Sequence, residues 1–210
     1  MKKFNPFILA GLFVCLLSVS AFAGDPGFYA GVNAGLIVPS DVRVSSPGFS
    51  ADVSRKVGYA IGGAAGYDFG TNVRAEAEIS YKANDTSELK NGNSATGYNS
   101  SITALNFMAN AYYDIHAVHS FGVMPYVGGG VGVARLSNSN GVVAGGSSSD
   151  TVFAYQVGAG VAYDVSSNVT MDVGYRYFGT SDAKFNENAS NIVTMKYDSH
   201  NILAGLRFRF

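Results

Sequence analysis

Three histidines, one cysteine and several runs of alternating charge are the residues of this 210-residue chain that could do chemistry. A hydrolytic or acyl-transfer site needs a histidine base beside a serine and near an acid, so that the hydroxyl is activated for attack. His119 is followed by Ser120, His116 lies just before them, and His200 stands ten residues from the end without a partner nearby in sequence. That pattern is thin for a catalytic site, since His119 and Ser120 share one short turn, and polar residues placed at a membrane interface are the better reading. Gly128-Gly129-Gly130-Val131-Gly132 is glycine-rich, but a phosphate loop requires a helix to follow it, and none is indicated. No metal-ligand spacing is visible, and nothing suggests a cofactor.

The charged runs are more informative. Arg74, Glu76, Glu78, Ser80 and Lys82 alternate with Val73, Ala75, Ala77, Ile79 and Tyr81. Thr170, Asp172, Gly174 and Arg176 alternate in the same way with Val169, Met171, Val173, Tyr175 and Tyr177. In the last ten residues, Asn201, Leu203, Gly205, Arg207 and Arg209 alternate with Ile202, Ala204, Leu206, Phe208 and Phe210. A period of two places one set on each face of a strand. A strand that faces lipid on one side and a polar lumen on the other satisfies both sets. On this reading Arg74, Lys82, Arg176, Arg207 and Arg209 share an interior with Asp68, Glu76, Glu78, Asp114, Asp164 and Asp172. The chemistry they would do is with one another, as an ion-pair and hydrogen-bond plug. A narrow pore that uses the same charges as a selectivity filter is the alternative.

Stepping through the chain, apolar alternation recurs at 27–38, 56–69, 73–83, 105–114, 123–134, 153–163, 169–177 and 201–210. This predicts an all-β fold, an eight-stranded antiparallel up-and-down transmembrane β-barrel. The last strand must pair with the first, because an open edge in lipid would leave backbone groups unsatisfied. Polar Ser/Asn/Gly/Asp segments at 42–55, 84–100, 137–150 and 180–193 read as loops. They alternate with turns of about three to six residues, the pattern of long external loops and short periplasmic turns. Glycine and alanine on the inward parity of the second, fifth and sixth strands leave room for long side chains on the others. Eight strands enclose a lumen just wide enough to be filled in this way. A weak repeat, Tyr67-Asp68-Phe69-Gly70-Thr71-Asn72-Val73 against Tyr163-Asp164-Val165-Ser166-Ser167-Asn168-Val169, marks two short turns, and Tyr113-Asp114 begins a third.

Composition agrees. The chain has 26 glycines, 27 tyrosines and phenylalanines together and only 14% charged residues, against about 25% in a typical soluble domain. A net charge of −1 without a basic cluster gives no reason to expect nucleic acid. Residues 1–23 read as a secretory signal peptide, with Lys2 and Lys3, an apolar run from Phe7 to Val19, and Ala21-Phe22-Ala23 before the cleavage point. The mature barrel domain is then expected at 24–210, without the chain's single cysteine, Cys15.

Gly27-Phe28-Tyr29-Ala30-Gly31, the Tyr-Asp-x-x-x-Asn-Val hairpins and Leu206-Arg207-Phe208-Arg209-Phe210 together resemble the small outer-membrane barrels of Gram-negative bacteria. These include the transmembrane part of outer-membrane protein A, the opacity-type surface proteins and porin-family surface antigens. The resemblance implies residence among outer-membrane lipid. It also implies delivery by periplasmic chaperones to a barrel-assembly machinery that reads the terminal aromatics Phe208 and Phe210. It specifies architecture more than activity. With the filled lumen and polar loops, the reading is of a monomer acting as a structural or surface-interaction protein through its loops, toward an extracellular ligand the sequence does not name. No peptidoglycan-binding domain is expected after the barrel. A lipid-modifying enzyme and a soluble ligand-holding barrel are the other readings. The second would need its apolar parity inside and its charged parity in water.

Overall fold

The computed structural model describes residues 26–39, 42–46, 49–55, 57–91, 94–115, 122–139, 148–188 and 191–210. Eight antiparallel strands close into a barrel: β1 (Gly27–Pro39), β4 (Gly58–Asp68), β5 (Val73–Asn91), β6 (Ser94–Asp114), β7 (Val123–Ser139), β8 (Ser148–Ser166), β9 (Val169–Thr180) and β12 (Asp198–Arg209). Round the ring their order is β1-β4-β5-β6-β7-β8-β9-β12, and β12 returns to β1 with Tyr29 opposite Arg209 and Leu36 opposite Ile202. The first and last strands therefore pair with each other, and the barrel strands have no free edge along this seam.

The outward parity is largely apolar. Phe28, Leu36, Tyr59, Ile61, Ile79, Phe107, Val131, Phe153, Val157, Val173 and Ile202 are all exposed on the outer wall. Such a surface is costly in water and favourable in lipid, which is the physical reason these alternating sequences adopt this arrangement. Aromatic rings gather at the short-turn rim, where Tyr67 lies 4.9 Å from Phe28 and 5.2 Å from Phe69, centroid to centroid. Interfacial aromatics belong at this height. The 70–72 turn is tight, with left-handed Gly70 (φ 69°) and Asn72 (φ 67°) and the Gly70 amide donating to Asp68 Oδ1 at 2.9 Å.

The long connections depart from the sequence reading. Segment 42–55, read as loop, forms a hairpin of β2 (Val42–Ser46) and β3 (Phe49–Arg55), and β3 pairs with the far end of β5. Segment 84–100 consists largely of extensions of β5 and β6, paired as far as Asn91 opposite Ser94. Segment 180–193 contains much of a third hairpin, β10 (Ala183–Asn188) with β11 (Asn191–Met195). Segment 137–150 begins and ends in strand, with Ser137 opposite Ser149. Strands beyond the lipid have no apolar face to maintain, so the two-residue period that identified the others is missing from them.

Candidate functional site

The lumen is where the chemistry-bearing side chains converge. Position in the ring decides which of them meet: β5 and β9 lie four strands apart among eight, on opposite sides of the barrel. Glu78 on β5 and Arg176 on β9 bridge that diameter, with Arg176 Nη1 at 2.7 Å from Oε2 and 3.0 Å from Oε1 of Glu78. Asn110 Nδ2 also donates to Glu78 at 3.1 Å, and Gln156 Nε2 donates to Asn110 Oδ1 at 2.7 Å. Arg176 Nη2 donates to the Tyr112 hydroxyl at 3.1 Å. The result is one connected network spanning β5, β6, β8 and β9.

Nearer the short turns, Arg74 Nε lies 3.1 Å from Asp114 Oδ2, and its guanidinium stacks 4.1 Å over the Tyr112 ring and 5.1 Å from that of Tyr126. Glu76 accepts from the Tyr29 hydroxyl at 3.1 Å and lies 3.9 Å from Arg74 Nη1. Asp172 accepts from the Tyr126 hydroxyl at 3.2 Å and lies 3.7 Å from Arg207 Nε, an ion pair too long for a hydrogen bond. At the rim, Arg209 Nη2 is 3.4 Å from Asp68, and Thr170 donates to Asp164 at 2.6 Å. The lumen tyrosines have room because each lies over a glycine of an adjacent strand. A Cβ at Gly66 would overlap the Tyr29 ring, one at Gly128 the Tyr112 ring, and one at Gly160 the Tyr126 hydroxyl.

Lys82 stands apart from this network. Its Nζ has no hydrogen-bond partner among the described residues and lies 3.3 Å from the centroid of the Phe178 ring. Phe178 belongs to an apolar cluster with Ile102, Leu136, Val152 and Tyr197 that fills the lumen toward the long connections. Leu136, Val152 and Tyr197 lie outside the alternating runs of the sequence, so the pattern assigns them no interior role and points to a polar lumen with small residues between. Phe178 continues the inward parity of Asp172, Gly174 and Arg176, and that was the available signal.

Phe208 pairs with Ala30 on β1 and Val169 on β9, while the Phe210 amide donates to the Phe28 carbonyl at 3.0 Å. His200 lies on the outer wall, where its Nδ1 and the Tyr175 hydroxyl are 2.6 Å apart. Its ring packs against those of Tyr175 and Tyr177, with centroids 6.0 and 5.5 Å away. His116 and His119 lie outside the described residues, as do 1–23. Among the described residues no group of three or more His, Cys, Asp or Glu side chains could hold a metal ion. Beside the network a cavity of about 50 Å³ is lined by Asn33, Arg74, Glu76, Tyr126, Asp172 and Arg207, among others. Its polar lining suits a few waters, each of which needs roughly 10–15 Å³ of such space.

A family model described as the outer membrane protein beta-barrel domain matches residues 8–210. The outer membrane protein PagN of Salmonella typhimurium is 33% identical over 89 residues, and the match spans 39% of this chain and only 36% of that protein. A candidate adhesin of Rickettsia prowazekii is 24% identical over 227 aligned positions, 99% of each chain. Among solved structures, Neisserial surface protein A superposes with a TM-score of 0.57 at 25% identity, over 88% of this chain and 97% of that one. OprG from Pseudomonas aeruginosa gives 0.58 at 14% identity, over 89% and 98%, a likeness of fold alone.

Proposed function

This chain belongs to the outer membrane protein beta-barrel domain family, and from that premise we propose that it is a closed barrel serving surface interaction rather than transport or catalysis. The observation that carries the reading is a lumen filled by its own side chains, with the Glu78–Arg176 bridge across the diameter and fully buried Phe178 and Tyr197 toward the long connections. Long hairpins at one end of the barrel supply the remaining surface. The likeness to a candidate adhesin along almost the whole chain supports placing the contacts with extracellular molecules there. On this proposal residues 1–23 are removed on export, the long connections face outside the cell, and the protein works as a monomer among outer-membrane lipids. Chaperones and the assembly machinery deliver it by way of Phe208 and Phe210.

The test joins gel mobility with conductance. Refolded in detergent, the protein is expected to run faster unboiled than boiled, and the faster form is expected to fail in cells when Phe210 is deleted. In planar bilayers the unaltered protein is expected to give no unitary steps. Stable steps would replace the closed-barrel reading with a narrow pore, for which the polar cavity beside Arg74 and Asp172 is the relevant space.

A further inference from the structure

Two different materials fill the lumen, and they divide it into tiers. The ion-pair network ends at the Glu78–Arg176 bridge. Above it, toward the long connections, Phe178 is fully buried and packs edge-on against Tyr197, with ring centroids 6.1 Å apart at 70°. Tyr197 is held on three sides. Its hydroxyl donates to Asn84 Oδ1 at 2.8 Å, its amide donates to Thr180 Oγ1 at 3.1 Å, and its carbonyl accepts from the Thr180 amide at 3.0 Å. Leu136, Ile102 and Val152 complete the layer from β7, β6 and β8, with Ala104, Ala134, Ala154 and Ala183 between them. Buried Ser80, Asn84, Asn106, Thr180 and Ser199 stand among these side chains, Ser199 directly opposite Phe178, and together they fill the cross-section. A hydrated ion has no open path through a layer packed in this way, and the rings at its centre cannot replace the water it would lose, which is how a constriction blocks conduction. The polar tier beneath can hold water, as its cavity indicates.

Lys82 sits at the boundary. It projects from β5 across the lumen to the Phe178 ring on β9, and no hydrogen bond holds its ammonium to the network below. The nearest carboxylate on its own face, Glu78, is engaged by Arg176.

We propose that the Phe178–Tyr197 layer, not the ion-pair network, is the seal of this barrel, and that it closes a latent ion path on which Lys82 confers a preference for small anions. The proposal rests on the closed-lumen reading above and adds which tier does the closing.

Single-channel recording separates the possibilities. The double variant Phe178→Ala/Tyr197→Ala is expected to show unitary steps with chloride favoured over potassium in a salt gradient. Adding Lys82→Gln is expected to remove that preference. Glu78→Gln/Arg176→Gln is expected to stay silent. Steps from the unaltered protein would sink the closed-lumen reading itself. A silent layer variant that still shows the heat-shifted band would overturn only the inference, as would conduction by the Glu78/Arg176 variant. An unchanged preference in the Lys82 variant would overturn the assignment of selectivity.

If the layer variant gives no heat-shifted band, labelling decides instead. Asn33 lines the polar cavity beneath the layer. In an Asn33→Cys protein, once residues 1–23 and with them Cys15 are removed on export, the introduced thiol is the only one. Cells exposed to a charged thiol reagent are expected to leave it unmodified. Modification as rapid as that of a thiol placed on the outer hairpins would refute the seal.

Discussion

Removing one side of the diametric ion pair tests the lumen network most directly. Glu78 has a side-chain exposure of 1% and Arg176 of 17%, so both are well shielded from solvent. Arg176→Met leaves the carboxylate in place with the Asn110 amide at 3.1 Å as its remaining donor in the network. Breaking a buried pair on one side leaves an uncompensated charge and costs about 3–5 kcal/mol, whereas replacing both partners is often close to neutral. The double variant Glu78→Gln/Arg176→Met is therefore expected to recover most of the loss, with a coupling energy of about 2–3 kcal/mol. Urea titration in lipid vesicles, read by the fraction of heat-shifted band and by far-UV circular dichroism, supplies the four stabilities. Tryptophan fluorescence is not an option, since the chain has none. If Arg176→Met costs less than about 1 kcal/mol, or if the two substitutions simply add, the pair is hydrated and the argument from burial is wrong.

Other perturbations probe the remaining structural claims. Gly128→Ala would drive a Cβ into the Tyr112 ring and to within 2.8 Å of the Ala111 carbonyl oxygen. It should cost about 1–3 kcal/mol in the same titration, and a neutral result would mean that Tyr112 is free to move. Val173→Arg places a charge midway along the outward face of β9 and should cost about 2–4 kcal/mol, as expected near the bilayer midplane; a negligible cost would put that position in water. Replacing 42–55 by a short turn removes a hairpin whose β3 meets β5 only at Thr86–Lys90, beyond the Tyr59–Ala83 pair that ends the β4–β5 ladder. The heat-shifted band and the urea midpoint should survive, and their loss would make the hairpin part of the barrel's stability.

The barrel could be read from sequence because its strands separate two unlike surroundings, so Val73 to Lys82 and Val169 to Arg176 carry the period of two in full. Above the lipid that contrast vanishes. Asn84-Asp85-Thr86-Ser87-Glu88-Leu89-Lys90 is polar on both parities and reads as loop, although it continues β5. Gly92-Asn93, the two residues between paired Asn91 and Ser94, are a hairpin signal that could have corrected the reading. Parity also assigned faces without assigning partners. That Glu78 meets Arg176, 98 residues away, follows from their positions round the ring and from no local pattern. The apolar layer was hidden differently. Ile102, Leu136 and Val152 fall just outside the runs of clear alternation at 105–114, 123–134 and 153–163, and only closure of the barrel gathers them around Phe178.

The seam where the Phe210 amide reaches the Phe28 carbonyl brings the two ends of the barrel chain together at one rim. A few linking residues could join them, and the covalent chain could be reopened at 70–72 without altering the strand order round the ring. Such a circular permutant would end at Phe69. Its final residues, Tyr67-Asp68-Phe69, repeat the aromatic–charged–aromatic form of Phe208-Arg209-Phe210, with Tyr67 and Phe69 on the outer face as Phe208 and Phe210 are by parity. The order in which the strands are joined is thus separable from the geometry of the ring, and this chain holds a second hairpin already shaped to serve as an end.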